Sequence, residues 1–292
     1  MQTIFTGAGV AIVTPMFPDG SINYQVFGEL IEEQIKNGTN AIVVCGTTGE
    51  SATMTDDEHI ECIRYAVEKT AKRVPVIAGT GSNDTSYAVM LSVEAEKLGA
   101  DALLLVTPYY NKTSQRGLVA HFSAIADAVN IPIILYNVPS RTGCSIGIEA
   151  YKELSKHRNI VAVKEASGDI SFIARIRAET DLDVYSGNDD QIVPVMALGG
   201  IGVISVLSNI APKLVHDIAE AALSGDYKTA SELQLKYLDV TNKLFIDVNP
   251  IPVKEAMNLI GKNVGECRLP LVRMEQPKIE VLKSALKNAD IL

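Results

Sequence analysis

Eight short apolar runs recur along the chain. They lie at 8–13 (AGVAIV), 40–44 (NAIVV), 74–78 (VPVIA), 102–106 (ALLLV), 131–136 (IPIILY), 159–163 (NIVAV), 182–185 (LDVY) and 201–206 (IGVISV). Each is almost continuously hydrophobic, as expected of parallel strands covered on both faces. Between them stand amphipathic stretches such as 23–37, 55–71, 84–98 and 114–129, which predict helices. Start and stop signals sit where that alternation needs them. Thr55 followed by Asp56, Asp57 and Glu58 predicts a capping box, and Ser114 with Gln115 behind it opens the next helix. Gly38 and Gly99 close helices just ahead of a strand.

A strand–helix unit repeated eight times predicts an α/β protein built as a (β/α)₈ barrel. An open doubly wound sheet is the other architecture with this alternation. Its fingerprint, G-x-G-x-x-G after the first strand, is missing, since Gly7-Ala8-Gly9 precedes the strand and lacks the third glycine. The eighth unit ends near Ser224-Gly225-Asp226. The remaining chain predicts helices over 226–246, 250–260 and 276–288, punctuated by Pro250, Pro252 and Pro270. The expected organisation is therefore a barrel over 1–224 and a C-terminal three-helix extension over 225–292.

Composition narrows the function classes. The chain has 292 residues, 47% of them hydrophobic and 21% charged, which is ample for a core. Lys plus Arg is 26 and Asp plus Glu is 35, so the net charge is 26 − 35 = −9. An acidic chain without a Lys/Arg cluster argues against nucleic acid or an anionic membrane surface as partner. No apolar run approaches the roughly 18 residues of a membrane helix. The N-terminal stretch MQTIFTGAGVAIVTP has no basic segment ahead of its apolar part, so no secretory signal is expected. Cys45, Cys62, Cys144 and Cys267 form no C-x-x-C pair, which fits a reducing cytoplasm without disulfides. The histidines, His59, His121, His157 and His216, form no H-E-x-x-H, so no metal is expected.

In a barrel of this kind the chemistry sits at the C-terminal ends of the strands. The sequence concentrates polar residues there. Gly46-Thr47-Thr48-Gly49-Glu50 follows strand two and Thr107-Pro108-Tyr109-Tyr110-Asn111 follows strand four. Strand five leads into Tyr136-Asn137-Val138-Pro139-Ser140-Arg141, strand six into Lys164-Glu165, and strand seven into Ser186-Gly187-Asn188-Asp189. Lys164 follows IVAV, where desolvation would lower its pKa and free the amine as a nucleophile for a ketone. A lysine paired with Glu165, or reaching out to water, fits the same position. Thr47 and Thr48, between two glycines, either hold a carboxylate with hydroxyls and backbone N–H groups or form a plain turn. Tyr136 is either a proton relay or a barrel-lining aromatic. Arg141 offers a planar fork for a second carboxylate or a surface ion pair. Tyr109 and Tyr110 must point apart, so one of them suits a subunit contact. No phosphate-gripping G-x-x-x-x-G-K-[ST] is present.

Five segments, GTTGES, TPYYNK, YNVPSRTG, VAVKEASG and GGIGVISV, resemble those of the dihydrodipicolinate synthase / N-acetylneuraminate lyase family of class I pyruvate aldolases, in order and spacing along the whole chain. The Thr47-Thr48 pair, the tyrosine pair with Tyr110, and Arg141 in P-S-R-T-G resemble the synthase branch. The resemblance implies a lyase of diaminopimelate and lysine biosynthesis. Lys164 would form an imine with pyruvate, and its enamine would attack L-aspartate 4-semialdehyde to give 4-hydroxy-tetrahydrodipicolinate. Thr48 would hold the pyruvate carboxylate, and Ile204 and Gly187 would belong to the same pocket. Thr47, Tyr136 and Tyr110 would relay protons, Tyr110 coming from a neighbouring subunit, and Arg141 would take the semialdehyde's carboxylate. No metal or organic cofactor is implied, and a homotetramer arranged as a dimer of dimers is. The alternative within the family is a sibling lyase acting on a sugar acid, N-acetylneuraminate or 2-keto-3-deoxygluconate. A keto-acid-binding protein without catalysis is a third possibility, against which the lysine and its two tyrosines argue.

Lysine-inhibited members of that family bind lysine at the dimer interface. Ser51, Ala52, His59, Asn83 and Tyr109 fit that effector pattern. Asp56 stands where sensitive enzymes carry histidine, and Tyr87 where they carry the glutamate that meets the effector's ammonium group. Loss of that anion implies weak or absent inhibition by lysine.

Overall fold

The structure, a computed structural model, describes residues 3–292; Met1 and Gln2, which open the N-terminal stretch, lie outside the described residues. Eight strands appear in chain order: β1 Gly7–Ala11, β2 Ala41–Val44, β3 Val76–Gly79, β4 Ala102–Val106, β5 Ile133–Asn137, β6 Ile160–Glu165, β7 Asp183–Ser186 and β8 Gly202–Ser205. The helices between and after them are α1 Tyr24–Lys36, α2 Asp56–Thr70, α3 Thr85–Lys97, α4 Gln115–Ala128, α5 Pro139–Thr142, α6 Ile148–Leu154, α7 Ile170–Glu179, α8 Ile192–Ala197, α9 Pro212–Leu223, α10 Tyr227–Lys236, α11 Leu238–Lys243, α12 Ile251–Leu259 and α13 Gln276–Asn288. All eight strands pair in parallel and in sequence, and β8 closes on β1, giving the expected (β/α)₈ barrel. At the seam Gly7 pairs with Gly202, where a side chain on Gly202 would strike the Gly7 backbone.

The local signals act as expected. Thr55 and Glu58 form a reciprocal capping box, Glu58 N–H donating to Thr55 Oγ1 at 3.3 Å and Thr55 N–H to Glu58 Oε2 at 3.0 Å. Ser114 Oγ accepts from Gly117 N–H at 3.2 Å. Gly38 and Gly99 leave their helices with φ of +87° and +88°, a conformation glycine adopts without penalty.

Strand alternation produces two apolar layers. One face of each strand packs outward against the ring of helices. The other fills the barrel with Val43, Ile77, Leu104, Ile134, Tyr136, Tyr185 and Ile204. Phe5, just ahead of β1, stacks on Tyr185 with ring centroids 4.3 Å apart. Among the described residues no helix is long and apolar enough to cross a membrane.

The C-terminal extension differs from expectation in one respect. The helical stretch expected over 226–246 is two helices, α10 and α11, broken at Tyr237, whose ψ of 12° leaves the helical range. Thr241 Oγ1 donates to the Tyr237 carbonyl at 2.9 Å, a side-chain back-bond of the kind that bends helices. The extension therefore holds four helices. α10 packs on α8 and α9, and α12 and α13 pack on each other.

The extension is also tied to the barrel by a buried ion pair. Lys254 Nζ, on α12, lies 2.8 Å from Glu50 Oε1, and both side chains are only 2% exposed. Lys254 Nζ also donates to the carbonyls of Thr14 and Glu266, and Glu50 Oε2 accepts from Arg268 N–H at 3.0 Å. Both charges are thus fully served, the condition under which a buried pair is tolerated. Removing one partner strands the other. Lys254→Met or Glu50→Leu alone should lower stability by about 3–5 kcal/mol, and the double replacement by less than the sum of the two. Urea denaturation midpoints of the three variants check this, and additive losses would contradict it.

Candidate active site

β6 runs two residues beyond the apolar run seen in the sequence, so Lys164 is its fifth residue rather than a residue after it. Alternation then decides how this lysine is placed. Lys164 faces into the barrel and is 5% exposed. Glu165 faces out, where both its carboxylate oxygens accept from Asn137 Nδ2 at 3.1 and 3.0 Å and Oε1 accepts from Ser167 N–H at 2.8 Å. A Lys164–Glu165 pair is therefore excluded by geometry. Register sets Tyr136 of β5 beside Lys164, and the amine lies 4.3 Å from the phenol ring centroid.

Burial dominates the electrostatics of Lys164. Loss of water lowers its pKa from 10.5 to about 8, Arg141 pushes the same way, and the Asp189 carboxylate opposes both. At pH 7 the neutral fraction rises from roughly one in 3,000 for an ordinary lysine to roughly one in ten. Burial also raises the Tyr136 phenol, against which Arg141 and a hydrogen bond with Thr47 pull it down. Asp189 is itself buried and its pKa is raised by that burial, while Ser205 and the N–H groups of Leu207 and Val206 favour its charged form.

A cavity of about 170 Å³ opens at this end of the barrel. Lys164, Tyr136, Thr47, Thr48, Arg141 and Gly187 all line it. Gly187 is needed there, since a side chain would meet Ala166 Cβ at 2.6 Å and the Glu165 carbonyl at 2.9 Å. The loop Gly46–Gly49 is set between two left-handed residues, Cys45 at φ 56° and Glu50 at φ 59°. Ile204 is not on the cavity wall. It is fully buried in the barrel interior with Tyr136 and Tyr185, and Val206, two residues on, lines the cavity instead. Tyr110 is also absent from the wall; it is 91% exposed, with φ 70°.

A second cavity of about 360 Å³ adjoins the first and shares Thr47, Tyr136, Val138 and Arg141 with it. Ser51, Ala52, His59 and Tyr109 line this larger space; Asn83 does not, its carbonyl accepting from Asn111 Nδ2 at 2.9 Å. Tyr87 lines it too and donates its phenol proton to Asp56 Oδ1 at 2.8 Å. His59 Nε2 lies 2.9 Å from the Gly79 carbonyl, and burial lowers its pKa. Of the two, only the smaller cavity is lined by Lys164.

Three further residues shape the site. Asn249, from the segment between α11 and α12, lines both cavities, and its Nδ2 donates to Thr48 Oγ1 at 2.9 Å. Phe245 joins the wall of the smaller cavity, also from the extension. Asp189 acts on Lys164 from the turn after β7. Asp189 is visible as a polar residue at a strand end, but nothing local marks Asn249 or Phe245. Among the described residues no group of three His, Cys, Asp or Glu side chains could hold a metal ion.

Residues 4–289 match the family model described as "Dihydrodipicolinate synthetase family". A relative from Lachnoclostridium phytofermentans, named 4-hydroxy-tetrahydrodipicolinate synthase, is 57% identical, with 100% of both chains covered. One of the same name from Caldicellulosiruptor saccharolyticus is 58% identical over 97% of this chain and 96% of its own. A crystal structure of the chloride-inhibited dihydrodipicolinate synthase from Acinetobacter baumannii, complexed with pyruvate, superposes with a TM-score of 0.97 at 44% identity. It covers 99% of this chain and 100% of that one.

The lowered amine pKa has a direct consequence. Trapping of a ketone by Lys164 should rise about tenfold per pH unit up to pH 8 and level off above it. Asp189→Asn should move that inflection down, because it removes the charge that favours the ammonium form. Borohydride trapping rates across pH check both, and an inflection near 10.5 would contradict the burial argument.

Proposed function

This chain belongs to the dihydrodipicolinate synthetase family, and on that premise we infer that it condenses pyruvate with L-aspartate 4-semialdehyde to 4-hydroxy-tetrahydrodipicolinate. It is a lyase of the class I aldolase type, serving diaminopimelate and lysine synthesis. The observation that carries the site assignment is the buried, inward-facing Lys164 beside Tyr136 in an enclosed polar cavity.

The neutral Lys164 amine attacks the C2 ketone of pyruvate, and loss of water leaves an imine. A C3 proton leaves to give the enamine, whose electron pair attacks the semialdehyde's aldehyde carbon. The aldehyde oxygen takes up a proton through Tyr136 and Thr47, joined by Tyr110 of the partner subunit. The semialdehyde's amine then attacks the imine carbon, displaces Lys164 and closes the ring. Thr48 with its loop amides takes the pyruvate carboxylate, and Arg141, exposed at the cavity mouth, takes that of the semialdehyde. Gly187 leaves room for pyruvate beside the amine, and Ile204 backs the pocket from the barrel interior. The sibling reading on a sugar acid is not favoured, and its substrates have little need for a guanidinium fork at Arg141.

The division at 224/225 belongs to the same reading, with the barrel supplying the nucleophile and the extension closing one wall. The 91% exposure of Tyr110 supports an assembly in which that side chain enters a neighbour's site. We read it as a dimer of dimers in the cytoplasm. The larger cavity is the candidate effector site, formed by Ser51, Ala52, His59 and Tyr109, with Asn83 at its edge.

Borohydride reduction with pyruvate, followed by peptide mass mapping, should place a pyruvyl adduct on Lys164; folded protein without that adduct would remove the aldolase chemistry. Arg141→Ala should raise the semialdehyde KM at least tenfold and still allow pyruvate trapping, with the trapping inflection moved to higher pH because the guanidinium no longer lowers the Lys164 pKa. Lost trapping in that variant would contradict its role. Because the Tyr87 phenol occupies Asp56, lysine should inhibit weakly or not at all. Half-inhibition at submillimolar lysine would overturn that expectation.

A further inference from the structure

Asn249 belongs to the extension, yet it reaches both anion-binding groups of the site. It is 5% exposed, its Nδ2 donates to Thr48 Oγ1 at 2.9 Å, and its carbonyl accepts from Arg141 Nη2 at 3.4 Å. Its Oδ1 is buried and has no partner among the described residues. The segment that carries it is anchored on the same loop a second time. Lys254, on the first turns of α12, holds Glu50, two residues beyond Thr48, through the buried ion pair.

The direction of the Thr48 hydrogen bond matters chemically. A hydroxyl has one proton to donate and two lone pairs with which to accept. Because Thr48 accepts from the Asn249 amide, its own proton is left for another acceptor. In this cavity that acceptor is an incoming carboxylate. An acceptor in place of the amide would take the Thr48 proton and turn a lone pair toward the anion.

We propose that Asn249 is a positioning residue that points the Thr48 proton at the pyruvate carboxylate, so that the C-terminal extension completes the pyruvate site. The proposal rests on the aldolase reading and names the group through which Thr48 performs its part. Packing alone would make the opposite ranking of variants. Aspartate matches asparagine in shape but cannot donate when ionised, whereas alanine leaves a gap and leaves Thr48 free to turn.

The test is the pyruvate concentration that half-saturates borohydride trapping on Lys164, measured without the semialdehyde on variants with native circular dichroism. Asn249→Ala should raise it about 3- to 10-fold, as for the loss of one neutral hydrogen bond. Asn249→Asp should raise it further, to about 30-fold or more, since the new group takes the proton and adds a charge. The Thr48→Val background separates those two effects. If the Thr48 proton carries the effect, Asn249→Asp should add less than about 3-fold there. An aspartate variant nearer to wild type than the alanine variant overturns the proposal. So does an aspartate penalty as large in the Thr48→Val background as in its absence. Should the aspartate variant not fold, Asn249→Leu takes its place: matching the alanine variant supports the proposal, and matching wild type overturns it. Wild-type protein that forms no adduct with pyruvate would instead sink the aldolase reading, an outcome distinct from a wrong ranking among the variants.

Discussion

An amine kept out of water, with no carboxylate in ion-pair contact among the described residues, is the constraint that organises this site. Lysine nitrogens are soluble, and a barrel interior is a poor place for one. The closed ring of strands makes the burial unavoidable, because an inward position near the mouth of β6 has nowhere else to go. Alternation along β6 then keeps the nearest acid away: Glu165 is turned to the outside and shared among Asn137, Ser167 and Tyr151. Asp189 is the acid that does act on the amine. Its Oδ2 is held by the Val206 and Leu207 amides, beyond ion-pair distance of Lys164. The result is a lysine whose neutral form is far more accessible than usual, with the shift set by burial and trimmed by one acid.

The loop that faces the amine carries its own demand. Cys45 and Glu50 hold left-handed backbone on either side of Gly46–Gly49, and each such residue costs of order 1–2 kcal/mol. Local sequence does not relieve this. The Glu50 side chain does, because it is clamped between Lys254 and the Arg268 amide, both from the extension. A loop on the cavity wall, in a conformation it would not choose alone, is thus held by a helix that joins the structure two hundred residues later.

Much of this was legible in the sequence. All eight apolar runs overlap a strand, and the capping box, the Ser114 cap and the two stop glycines act as written, because each is a local rule between residues close in sequence. The polar strand ends converge for the same reason, since parallel strands in a barrel share one mouth. What was not legible is long-range or depends on a single torsion. The Asn249–Thr48 and Lys254–Glu50 contacts span 201 and 204 residues and carry no periodic signal. The break at Tyr237 has no glycine or proline to announce it. Nor does any local pattern in 225–292 announce that Phe245 and Asn249 supply a wall of the site.

Magnitudes explain why that wall matters. The surroundings of Lys164, burial foremost, together disfavour its charged form by roughly 3 kcal/mol relative to water. A bare carboxylate about 4 Å away favours the charged form by about 4 kcal/mol at an effective dielectric constant of 20. Pyruvate brings such a carboxylate with it, so an unassisted substrate would raise the amine's pKa again and shrink the neutral fraction that reacts. The site therefore has to neutralise the incoming charge without placing a second acid near the lysine. Neutral donors do this by drawing charge onto oriented N–H and O–H dipoles, and a hydroxyl contributes only if its proton faces the substrate. Arg141 adds a full positive charge that also lowers the amine's pKa. On this argument carboxylate recognition and amine activation are one electrostatic problem.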